Sequence, residues 1–259
     1  MKIYRTQLDI WPGHLIQSIF KGSMLTAILI LQIGCAADSS FEGAQEILQD
    51  NTGQGTPTTP PDDTVPPPDF AYDKLAWEDG SDEKLKWSYT TLELIISSTM
   101  SLKSGAKDAT DFCPQYSKIN DEQKAGFWAY LISAIAKYET DFSITKRTVH
   151  ESGATDPVTQ LPRYREGLMH VSYADSQVSQ GCQFDWTADR DLLPNNSKKS
   201  IFDPFKNIKC GIHLLDAQIA ATGKISVDKG GYWNSLNPNS KTKKVKEIQA
   251  LTKALSFCK

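Results

Sequence analysis

One stretch constrains this chain more than any other: Asn120-Asp-Glu-Gln123 and the run that follows it to Phe142. Asn120 is a good N-cap, acids fill the first turn where the helix dipole favours them, and Gln123 can reach back to the N–H of the cap. The pattern predicts a helix over 121–140, in which Phe127, Leu131, Ile135 and Tyr138 share a face, since residues three and four apart lie one above the other. Such a stripe must be buried against other elements. Glu139 sits beside it in the last turn. There its carboxylate meets the negative end of the macrodipole, a cost of roughly 0.3–1 kcal/mol, and lies near Tyr138 and Phe142. Both effects disfavour the ionised form, so the residues predict a raised pKa for Glu139.

Other segments supply covering helices. Glu83 to Leu102 carries Leu85, Tyr89, Leu92, Leu94, Ile95, Ile96 and Met100 in a mostly helical period, with Gly105 able to end it. Lys206 to Ala221 places Ile208, Ile212, Leu215 and Ile219 on one stripe before a capping Gly223. A last helix is predicted from about Thr242 to Phe257, with Val245, Ile248, Leu251 and Leu255 on one face. Residues 143–165, polar and broken by Gly153, Pro157 and Pro162, and residues 181–205, with Gly181, Pro194, Asn195, Asn196 and Pro204, read as loops, with no strand signal beyond a possible short hairpin. The expected fold class is mainly α, a helical domain with long loops.

The domain is expected over 70–259. Residues 1–35 read as an export signal: Lys2, Arg5 and Lys21, the apolar run Met24–Ile33, then Gly34-Cys35. That run is too short for the ~20 residues of a membrane span. Gly34-Cys35 resembles the lipobox of bacterial lipoproteins, which implies lipidation of Cys35, a membrane anchor, and a periplasmic or cell-surface location; a plainly secreted protein is the alternative. Residues 36–69, with seven acids and no Lys or Arg, are Pro-, Thr- and Asp-rich and read as a disordered tether.

Setting Cys35 aside leaves Cys113, Cys182, Cys210 and Cys258, an even number, as disulfides in an exported domain require. Of the possible pairings we favour Cys113–Cys258, stapling the domain's ends, and Cys182–Cys210, closing an internal loop. There is no C-x-x-C and no H-E-x-x-H among His14, His150, His170 and His213, so neither metal nor cofactor is expected. With 25 basic and 23 acidic residues, 70–259 is close to neutral. That excludes the strong basic field of a nucleic-acid binder, and a monomer is expected.

Three ordered motifs carry a family resemblance. Glu139-Thr-Asp-Phe142 resembles the Glu-Ser-x-Phe motif of soluble lytic transglycosylases (SLT) and goose-type lysozymes, Gly167-Leu-Met-His170 resembles their Gly-Leu-Met-Gln, and Asn207 to Leu215 resembles the helix opening Asn-x-x-x-Gly-x-x-x-Leu. The resemblance covers roughly 120–235. It implies a lysozyme-like helical fold that cleaves the β-1,4 bond of peptidoglycan glycan strands, with Glu139 as general acid. Cleaving a glycoside near neutral pH needs a carboxyl group that is still protonated, and burial in an apolar pocket provides one. The resemblance also implies a substrate-binding wall of Gly167, Leu168, Met169, His170 and Ser172. Gly167 is otherwise a simple turn residue, and His170 stands where the family has Gln. Gly230 to Ser235 is expected to add a further wall, with Tyr232 resembling a tyrosine that hydrogen-bonds near the acid; a core position is equally open to it.

A transglycosylase uses one glutamate twice, whereas an inverting lysozyme needs a second carboxylate to activate water. The long segment after Glu139 offers Glu151 and Asp156 for that role, against a bland role in loop solubility. Glu151, Asp156, Glu166 and Asp175 near the proposed cleft would together favour a cationic, de-N-acetylated glycan. The competing class is a non-catalytic glycan-binding module on the same fold.

Overall fold

The computed structural model describes residues 67–97 and 101–259; the expected export signal, Cys35 and nearly all of the expected tether lie outside them. Six helices occur among the described residues: α1 (Asp82–Ser97), short α2 (Ala109–Phe112), α3 (Asp121–Thr140), short α4 (Trp186–Asp189), α5 (Pro204–Thr222) and α6 (Val245–Lys253). The mainly helical class with long loops therefore holds. The predicted helix over 83–102 falls instead into α1 and a 3₁₀ turn at Ser101–Ser104, and the last helix gives way to a 3₁₀ turn at Ser256–Cys258.

α3 is the central element, packed against α1, α5 and α6. Asn120 accepts from the Gln123 N–H at 2.8 Å while the Gln123 side chain accepts from the Asn120 N–H at 3.1 Å, completing the predicted capping box. Burial goes well beyond the predicted stripe. Phe127, Trp128, Ala129, Leu131, Ile132, Ala134, Ile135 and Ala136 are all buried, because helices cover α3 on more than one side. The Trp128 indole N–H donates to the Tyr116 hydroxyl at 2.9 Å, giving this polar edge its partner.

α5 begins two residues before the predicted Lys206, because the Asp203-Pro204 pair, read above as loop, starts it. Asp203 accepts from the N–H groups of Phe205 and Lys206, Pro204 occupies the first turn, and Gly223 ends the helix at φ +71°. The structure pairs Cys113 with Cys258 and Cys182 with Cys210. The first bond joins the end of α2 to the 3₁₀ turn after α6; the second ties the loop after α3 to α5.

Between α3 and α5 lies a two-stranded antiparallel hairpin, β1 (Arg147–Val149) and β2 (Tyr164–Glu166), with Arg147 opposite Glu166 and Val149 opposite Tyr164. Further bridges, Thr155 with Pro162 and Glu166 with Val171, extend it at both ends. The irregular segment is thus an organised wall.

Candidate functional site

α3 ends abruptly one turn after its last deeply buried residues. Asp141 and Phe142 both take left-handed backbone angles, φ +52° and +63°, a conformation that costs a non-glycine residue energy and persists only where the surroundings impose it. This stop leaves Glu139 facing the hairpin wall with 9% of its side chain exposed. Both oxygens are held. Oε2 lies 3.0 Å from His170 Nδ1, and Oε1 accepts from the Ser235 N–H at 3.2 Å. Three chain segments therefore converge on one carboxylate: the end of α3, the turn after β2, and the loop preceding α6.

The protonation of Glu139 departs from expectation. Burial pushes its carboxyl up, but the hydrogen bonds and charge from His170 and the contacts from Ser235 outweigh burial, and the net direction is below the ordinary glutamate value. Donors aimed at the ionised form stabilise it. The sequence showed the apolar setting of Glu139 but not these two distant partners.

Of the Gly-Leu-Met-His run, only His170 reaches Glu139. Leu168 and Met169 are fully buried and do not line a cleft. Their backbone is also committed: the Leu168 carbonyl accepts from the Thr140 hydroxyl at 2.8 Å, the Met169 N–H donates to Asn207 Oδ1, and the Met169 carbonyl accepts from the Trp233 indole at 2.8 Å. Gly167 has a packing reason instead, since at φ +76° an added Cβ would lie 2.2 Å from Asn207 Nδ2 and 2.6 Å from the Ile201 carbonyl. Asn207 is the anchor that the resemblance indicated only as a helix opening. Its side chain, buried at the start of α5, fixes the run to the frame by donating to the Ile201 carbonyl at 2.7 Å and accepting from Met169.

Three further candidates are structural. Ser172 is buried, donates to Asp156 at 2.9 Å, and forms a capping box with Asp175. Asp156 spends its carboxylate on the N–H groups of Val158, Thr159 and Ala174 as well as on Ser172, which leaves it no free oxygen to activate water. The Tyr232 hydroxyl donates to Asp175, not to Glu139, and its ring packs edge-on against Trp233 and under the Arg165 guanidinium. Glu151 alone among the proposed second carboxylates keeps an exposed side chain, at 60%, near Arg165 and His150 and accepting from Asn234.

The acidic wall shrinks accordingly. Glu166 pairs with Arg147 at 2.9 Å and Asp175 with Arg163 at 3.2 Å. Burial pushes the carboxyls of both up. Neither is an exposed acid facing a ligand. Thr148, Arg165 and Ser235, all part of the site's surroundings, had no sequence signal of their own beyond Ser235 closing the Gly230 segment.

The fold and site define a mainly helical, disulfide-stapled domain in which a helix-terminal carboxylate meets a loop wall. Solved structures of Bd0314 DslA are similar to it. A wild-type form is 25% identical with a TM-score of 0.59, covering 72% of this chain and 98% of that one. A glutamate-to-glutamine mutant is 27% identical with a TM-score of 0.59, covering 71% and 97%. A mutant at another glutamate gives 24% and 0.58 over the same shares. No protein-family model and no curated protein matches the chain.

Proposed function

We propose that this domain cleaves the β-1,4 bond of peptidoglycan glycan strands, as a lysozyme or lytic transglycosylase, with Glu139 as general acid. The observation that carries the reading is the convergence on Glu139. A nearly buried carboxylate, held at both oxygens, sits between a strained helix stop and a hairpin wall, in the first of three motifs resembling the SLT and goose-type families. In Bd0314 DslA two different glutamates have each been exchanged for glutamine, a change that keeps the shape of the side chain and removes its acidity. The same exchange tests this chain. Glu139→Gln is expected to abolish release of soluble muropeptides while the thermal unfolding midpoint stays within a few degrees; unchanged release would refute the assignment. Mass spectrometry of the products separates the two chemistries, anhydro-muramyl ends marking a transglycosylase and reducing ends a lysozyme.

Glu151 is the remaining candidate for a second carboxylate, and the proposed preference for de-N-acetylated glycan now rests on it alone. Equal or faster digestion of normal peptidoglycan than of chemically de-acetylated peptidoglycan would remove that preference. We further propose an exported protein anchored through Cys35; two disulfides accord with an oxidising compartment. A second reading, a glycan-binding module without catalysis, draws support from the contacts of His170 and Ser235, which favour the ionised form of Glu139. Binding of glycan strands with no cleavage at any pH between 4 and 8 would favour it.

A further inference from the structure

His170 stands out at the site for three reasons. It is one of four non-glycine residues with positive φ among the described residues, at +56°, and is nearly buried, with 11% of its side chain exposed. Its N–H donates to the Gly167 carbonyl at 3.0 Å, which fixes the turn and aims the ring. Both ring nitrogens are engaged, Nδ1 at 3.0 Å from Glu139 Oε2 and Nε2 at 2.6 Å from Thr148 Oγ1. The Thr148 hydroxyl can donate or accept, whereas a carboxylate only accepts. The neutral ring therefore fits with its proton on Nδ1 and Thr148 donating to Nε2, and the imidazolium fits with both nitrogens donating. The site accepts the imidazole in either protonation state without moving an atom.

We infer that His170 is a positioning residue that stores the acid's proton: Glu139 and His170 act as a coupled pair whose active form holds one proton between imidazole and carboxyl. This rests on the reading of Glu139 as the acid. In the step itself one proton leaves the pair for the glycosidic oxygen as the C–O bond breaks. The bonding electrons stay on that oxygen, and the pair is left as carboxylate and neutral imidazole. It answers a difficulty raised by the geometry, since donors that hold Glu139 ionised would otherwise deprive an acid of its proton. Coupled groups titrate as a pair, so the proton belongs to imidazole and carboxyl together and not to the carboxyl alone.

The charged and titratable groups around the ring are few. Glu139 faces it from α3. At the end of β1 stand His150, whose charge and that of His170 oppose one another, and Glu151. From β2, Arg165 Nη2 approaches His150 Nε2 at 3.2 Å, and Arg163 also bears on His150. Arg147 and Glu166 neutralise each other. Of these, Glu139 alone is an acid in direct contact with the imidazole.

The test compares pH profiles of glycan cleavage for the wild type, His170→Gln and His170→Ala. Gln keeps a donor to Glu139 but cannot hold a proton. The expected result is that His170→Gln loses at least tenfold at pH 7 and recovers to within threefold near pH 4.5, its alkaline limb moved down by a unit or more. Profiles of unchanged shape, scaled by a constant factor, would overturn the inference and leave a purely structural role. A second readout needs no activity: ¹³C-detected titration of the Glu139 carboxyl should move its midpoint upward in His170→Ala, and an unmoved midpoint also overturns the coupling. If the wild type cleaves nothing, the proposed function fails by itself, while the titration still decides whether the pair exists.

Discussion

The helical frame of α1, α3, α5 and α6 and the wall between α3 and α5 are held together by different physics. In the frame, Trp87, Leu92, Phe127, Leu131, Ile135, Ile208, Leu215 and Ile248 are buried apolar side chains, and their stabilisation is roughly proportional to the area they remove from water. In the wall, the buried side chains include Asp156, Arg165, Glu166, Ser172, Asp175 and Asp189. Each acid there is answered by named donors: Asp189 accepts from the Tyr173 hydroxyl at 2.8 Å and the Ser200 N–H at 2.9 Å. A frame of this kind tolerates variation in its hydrophobic residues. A buried polar network does not, because removing one member strands its partners. The candidate site lies where the two meet, with Glu139 on the frame and its hydrogen-bond partner His170 on the wall.

The sharpest way to break this comparison is through the disulfides, which divide along the same line. Replacing Cys113 and Cys258 by serine opens a loop of 145 residues and should cost about 4–5 kcal/mol of global stability, measured by denaturant unfolding of the oxidised proteins. Replacing Cys182 and Cys210, 28 residues apart, should cost about 3.5 kcal/mol. Its amide exchange should quicken chiefly in the wall, and equal quickening across α1 and α3 would contradict the division.

Gly167→Ala tests the join itself. Left-handed strain and the collision with Asn207 and Ile201 should together cost about 3 kcal/mol, and cleavage should fall with stability because His170 is displaced. Asp156→Asn should cost about 2 kcal/mol, since an amide turns one of its acceptors into a donor facing donors. Exchange over 147–175 should rise while α3 stays protected.

The smallest expected effect is the pH dependence of stability contributed by Glu139. Its folded pKa lies below the ordinary value of 4.5, so its stabilisation is present above that value and is lost as pH falls through the lower, folded one. The gap in melting temperature between wild type and Glu139→Gln should therefore close as pH drops below about 4.5. Asp175 and Glu166, both raised by burial, carry the opposite sign. Their contribution is full below the ordinary carboxyl value and fades as pH rises through the raised one.

Much of the frame was legible because its signals are local. The capping box at Asn120 and Gln123, the Gly223 end of α5, and the 3.6-residue periods all act within one or two turns, although the Asp203-Pro204 start of α5 was read as loop. The choice between one-sided and all-round burial of α3 was not local, and Trp128 and Ile132 became core only because other helices covered them. In the wall the sequence named the right segment but misjudged several of its members. Leu168 and Met169 read equally well as a cleft lining or a core plug, since a short apolar run carries no period that distinguishes them.

The sequence by itself determined the four long helices in outline, the caps at Asn120 and Gly223, a cysteine count that fits two disulfides, and a carboxylate at the end of the central helix. Tertiary structure alone decided which groups touch that carboxylate. His170 and Ser235 arrive from 31 and 96 residues away, and they reverse the direction in which burial alone would move Glu139. Local pattern is set by neighbours along the chain, whereas protonation is set by donors and charges in space, and only the folded chain brings those together.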